Sequence, residues 1–123
     1  KLKVAGDVGI ERLSVGGDYI PEDCLLSVEG AIYCTDITVS SHENWPDYVF
    51  EEEYNLITLK EIEAYIKSHG HLPEVPNATE VKASDGIALG EMNIILLKKI
   101  EELTLYQIEL LKRVEQLESK VNK

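Results

Sequence analysis

His69 and His71 place two imidazoles two positions apart, and the Glu74 carboxylate follows three residues later. Two histidines can ligate zinc, but a third protein ligand must close a defined geometry. A histidine at a helix C-terminus also has a plainer use, because its cationic form complements the helix dipole. The expectation is no metal site and no cofactor. Trp45, Tyr48, Phe50 and Tyr54 gather aromatic surface within a short stretch. Aromatic rings serve a core, or stack on a surface ligand such as a glycan. Core is the expectation, and Trp45 and Tyr48 are the contact residues of the alternative, a binding tip. Glu51, Glu52 and Glu53 read as a solvated face. Cys24 and Cys34 are compatible with a disulfide that the pattern does not require, and Cys34 reads as a buried thiol. There is no Gly-rich phosphate loop, no Cys-x-x-Cys and no catalytic carboxylate pair.

These side chains sit in a chain of 123 residues, 44% hydrophobic and 28% charged, as in ordinary folded proteins. Twelve Lys and Arg against 23 Asp and Glu give a formal net charge of −11. That balance disfavours nucleic acid, which is gripped through cationic contacts to phosphate. It also disfavours anionic membrane surfaces. No apolar run reaches the length of a membrane-spanning helix, so no membrane insertion is expected. The chain opens on the strand-patterned "KLKVAGDVGI", without an initiator Met or a signal peptide. The expectation is a piece of something longer.

The first third repeats with period 24. Leu2, Val4, Gly6, Val8, Ile10, Leu13 and Val15 are matched by Leu26, Val28, Gly30, Ile32, Cys34, Ile37 and Val39. Apolar and polar positions alternate, the period of a half-buried strand. A phase change after Ile10 and after Cys34 suggests two short strands per unit. Two such units make a sheet too small to stand alone, so neighbouring units or other copies must cover it. This region is read as 1–41.

The segment 42–90 reads as a small α+β module. A turn at Pro46 leads to a short strand around Tyr48 to Phe50. "TLKEIEAYIKSHG" has a Thr58-x-x-Glu61 capping box, an apolar face of Leu59, Ile62 and Ile66, and a Gly70 stop. Pro73 and Pro76 keep "HLPEVPNATEV" extended. Ser84 to Gly86 is a turn.

From 91 to 123 there is no Pro and no Gly. Leu96, Leu103, Leu110 and Leu117 fall at d of a heptad, and Ile100, Val114 and Val121 at a, with Gln107 as a polar a residue. A stripe sustained over almost four heptads is a coiled-coil signal. The alternative is an amphipathic helix lying on its own domain, but the distal turns outreach so small a module. Met92, Ile94, Ile95, Leu96 and Leu97 are apolar nearly all round, which calls for burial on several sides. Leu105, Tyr106 and Ile108, outside a and d, could receive a neighbouring chain. Lys98, Lys99, Glu101, Glu102 and Arg113 read as inter-helix pairs. β-branched a residues with Leu at d favour a parallel dimer; Gln107 and the apolar e residues Leu97 and Leu111 widen the interface and admit three strands.

"WPDYVFEEEYNL", "LKEIEAYIKSHGHLPEVPNATEV" and "LGEMNIILLKKIEELTLYQIE" resemble the C-terminal domain of tail-fibre-like proteins of Bacteroidetes and their phages. The resemblance covers about 45–117, and "KLKVAGDVGIERLSV" is similar to the β repeats preceding that domain. The arrangement is more distantly similar to the intramolecular chaperone ending phage endosialidase tailspikes. It implies an intertwined parallel homotrimer at an extracellular, virion or cell surface. In it, an α+β module and a coiled coil bring a β fibre into register. Some such chaperones cleave themselves with a Ser at the domain start and a Lys soon after. Ser40 and Ser41 are suitably placed, but the next Lys is Lys60, and His42 would face away from an adjacent strand residue. A non-catalytic α+β chain is therefore expected, with a self-cleaving peptidase as the alternative.

Overall fold

A computed structural model describes residues 3–40 and 45–123. It divides into two compact units, Lys1–Thr38 and Val39–Lys123. The protein is α+β; the described residues form one two-stranded sheet and a long C-terminal helix.

In the first unit, β1 (Leu13–Val15) pairs in parallel with β2 (Leu26–Val28), Leu13 opposite Leu26 and Val15 opposite Val28. Each repeat thus contributes one strand among the described residues, not two. The pairing joins the second half of one repeat to the first half of the next, because Leu-Ser-Val recurs at both places. Parallel strands need a crossover between them. Here Arg12 organises it, donating from Nη2 to the carbonyls of Ile20 and Pro21, at 2.9 and 2.7 Å, and from Nε to that of Cys24. Gly16 leaves β1 at φ +87°, where a side chain would be strained and would crowd the Glu29 carbonyl. Val4, Val8, Ile10, Leu13 and Val15 all remain exposed. Cys34 is exposed as well, and it and Cys24 are free thiols. The buried-thiol expectation fails because the described residues of this unit supply no layer to cover that face.

In the second unit, Pro46–Phe50 is a 3-10 helix, not the expected strand. Pro46 occupies its start, where a fixed φ and a missing N–H cost nothing. With three residues per turn, positions three apart share a face. Pro46 and Val49 therefore point inward together, and Val49 is only 1% exposed. Trp45 and Tyr48 share another face and stay exposed. The core of this segment is a proline and a valine, not the aromatic cluster.

Helix α1 (Leu59–His69) has the expected ends. Thr58 and Glu61 form a reciprocal capping box, and Gly70, at φ +75°, donates to the Ile66 carbonyl. Helix α2 (Ala78–Ala83) was hidden in the stretch read as extended. Asn77 caps it by accepting from Thr79 and Glu80, while the Glu80 carboxylate accepts from the Asn77 N–H. Asp85 and Gly86 turn with positive φ into α3 (Leu89–Val121), which starts one to two residues earlier than expected. Among the described residues no helix is long and apolar enough to cross a membrane.

Candidate functional site

Helix α3 has two faces of opposite character. One is covered by the chain's own module and held by polar contacts. Tyr106 is buried and donates its hydroxyl to the Ile57 carbonyl. Glu102, also buried, accepts from the Tyr54 hydroxyl and from Lys99 Nζ at 2.9 Å. Lys99 reaches Glu74 at 2.7 Å, and Lys98 takes the other Glu74 oxygen at 2.5 Å. Lys98 Nζ also lies 5.9 Å from the centre of the Tyr48 ring, which tilts against Tyr54. The contacts close a circuit: Tyr48, Lys98, Glu74, Lys99, Glu102, Tyr54. It fastens the 3-10 segment and the loop before α2 to one flank of α3. Glu74 has φ +65°, costly for a residue with a side chain, and two ammonium groups hold its carboxylate there.

The lysine pairs are therefore intrachain, where the sequence suggested contacts between helices. Partial burial works against the charge of Glu74, but the hydrogen bonds from Lys98 and Lys99 outweigh it and hold the carboxyl below its ordinary range. Burial likewise opposes the charge on Lys99, and Glu74 and Glu102 more than restore it, raising the ammonium above its ordinary value. Stability from Glu74 is present above pH 4.5 and is lost as pH falls through the lower folded value. That from Lys99 is present below 10.5 and is lost as pH rises through the higher folded value.

Glu101 differs. It is 8% exposed and, among the described residues, its Oε2 has no hydrogen-bond partner. Burial pushes its carboxyl above the ordinary range, and the nearby Asp47 carboxylate pushes further. The unfolded chain releases this proton near 4.5 and the folded chain at higher pH, so folding is penalised increasingly as pH rises through that window. Glu101→Gln keeps the shape without the charge. Its melting temperature is expected to exceed the parent's at pH 7, by about 1 to 3 degrees, with the gain shrinking as pH falls toward 4.5 and absent below it. An unchanged melting temperature at pH 7 would mean the charge is already compensated.

The other face of α3 is open. Every a and d position from Leu89 to Val121 is exposed, including Leu96, Ile100, Leu103, Gln107, Leu110, Val114, Leu117 and Val121. The e residue Leu111 is 58% exposed, which widens the stripe on one side. Met92, Ile94, Ile95 and Leu97 are half-buried, covered on one side where the sequence called for several. Leu105 is half-buried; Tyr106, read as a receiver for a neighbouring chain, is covered by its own.

The remaining candidates separate. His69 stacks on Tyr65 at 4.0 Å, its Nδ1 beside Ser68 Oγ, and His71 meets the same ring edge-on. Glu74 is engaged by the lysines. Among the described residues no three His, Cys, Asp or Glu converge as metal ligands. Trp45 is 57% exposed beside Tyr48. Ser40 is exposed; Ser41 and His42 lie outside the described residues. No family model, curated protein or solved structure matches the chain.

Proposed function

We propose that this chain is a non-catalytic C-terminal self-association and folding module of a fibre-like surface protein, working as a parallel homotrimer. The observation that carries it is the division of α3 into a face fastened to its own module and an uncovered a/d stripe along its whole length. Burying the exposed half of one such Leu, Ile or Val is worth about 1 kcal/mol. A seam this long is worth roughly 8 kcal/mol per chain before the entropy of association is subtracted. The exposed e residue Leu111 extends the apolar face beyond the two-position seam of a dimer and favours three strands. The β repeats support the same reading, since their apolar positions are uncovered and three copies side by side would supply the missing layer. Helical contacts form faster than non-local β pairing, so the coil would gather the chains before the repeats pair.

The test is absolute mass in solution by light scattering, over a range of concentrations. Three copies of the 13.8 kDa chain give about 41 kDa. A dimer of about 28 kDa would overturn the third strand and leave the coil. A monomer would overturn the proposal.

A further inference from the structure

The two flanks of the open stripe are unequal. The g flank carries the chain's own module, and Tyr106 (g) is buried beneath it. The e flank is bare beyond Leu97: Thr104, Leu111 and Glu118 are all exposed. Between the start of α1 and α3 lies a groove of about 550 Å³. Leu56, Leu59, Tyr106 and Leu110 give it apolar walls, and its charged lining is Glu109 with Lys112 and Arg113, net basic by one. Leu110 is a d residue, so the groove is continuous with the seam.

Parallel, in-register coils place each g residue against the e residue five positions later on the neighbour. Leu111 of a second copy then lies level with Tyr106, against the groove that Tyr106 lines, and Arg113 meets that copy's Glu118. An isolated apolar e residue faces an apolar groove, and an acidic e residue faces one of the few basic side chains on a strongly acidic protein.

We propose that this groove is the receptor for Leu111 of a second copy of the chain, locked in register by a salt bridge from Arg113 to that copy's Glu118. The proposal rests on the self-association reading and adds an address to it. A module on one flank and a bare strip on the other make the contact directional, and with parallel helices in register there is no axial offset, so the copies close as a ring and not a filament. Each chain's module covers its neighbour's e flank, and the groove is incomplete in any single chain.

The test uses the full chain with Cys24→Ser and Cys34→Ser, adding Leu59→Cys with Leu111→Cys. Within one chain these positions lie on opposite flanks of α3. A short bis-maleimide is expected to give a covalent ladder ending at the trimer, and neither single cysteine variant is expected to give it. A Leu103→Cys control reads the seam itself. Cross-linking of the control without the ladder would overturn the groove and leave self-association standing. No cross-linking in either, with a monomer mass, would remove both. A second pair of variants spares the apolar packing. Arg113→Glu is expected to raise the dissociation constant about three- to fivefold, and Arg113→Glu with Glu118→Arg to recover it. Residues five apart on one helix point about 140° away from each other, so recovery reads a contact between chains. Failure to recover would overturn the register.

Discussion

Replacing Leu103 and Leu110 together with aspartate is expected to leave a monomer of 13.8 kDa where the parent chain assembles. Both residues are exposed d positions and take no part in the module's polar contacts, so the fold of one chain has little reason to suffer. In the assembly each substitution removes about 1 kcal/mol of apolar burial per chain. It also drives a carboxylate into a dry seam, which costs several kcal/mol per ion. Two such layers exceed the roughly 8 kcal/mol the whole seam can supply. Ser119→Asp, at an exposed f position of the same helix, is the control and should keep the parent mass. The folding role adds a second readout. Without the coil, the β repeats should be cut by protease well before the second unit. An assembled double-aspartate variant would mean that the stripe is not the seam. A monomer whose repeats stay protected would keep the seam and remove the folding role.

What was legible in the sequence was whatever repeats or punctuates locally. The Thr58–Glu61 box and Gly70 bound α1 because capping satisfies backbone groups within one turn. The a/d stripe was legible because seven-residue spacing survives any tertiary context. The same rule marks α2, since Asn77-x-x-Glu80 is also a capping box, but Pro73 and Pro76 just before it favour extended backbone and mask so short a helix. The 3-10 segment was lost because a three-residue period over five residues looks much like a strand. The β register followed the Leu-Ser-Val echo rather than the more conspicuous period of 24. Apart from the i,i+3 pair Lys99 and Glu102, the polar circuit had no sequence signature. Its other hydrogen-bonded partners stand 24, 25 and 48 positions apart, and a charge pair carries no periodicity. Lys98 and Lys99 looked like coil flanks because their true partner, Glu74, lies on a loop whose path depends on a left-handed residue.

Lys99→Met should be a damaging single change within the second unit. The methionine stem fills much the same space, so the loss is electrostatic. Glu102 would keep the Tyr54 hydroxyl but lose the one ammonium it meets among the described residues, while remaining buried. Breaking a fully buried pair from one side costs about 3–5 kcal/mol. Lys99 retains some exposure, which brings the expectation to about 2–3 kcal/mol. Glu74 contributes little to that figure, because it is half exposed and keeps Lys98. Chemical denaturation at one fixed protein concentration reads the change, since association would otherwise shift the midpoint. The companion variant Lys99→Met with Glu102→Gln removes both charges and leaves Tyr54 an amide to bond. It should recover all but about 1 kcal/mol, because replacing both members of a buried pair costs far less than orphaning one. Equal losses in the single and double variants would show that the Lys99 stem, not its charge, holds the module on α3. Recovery would show that the circuit's work is to keep one carboxylate matched, and with it the flank of α3 that faces away from the open stripe.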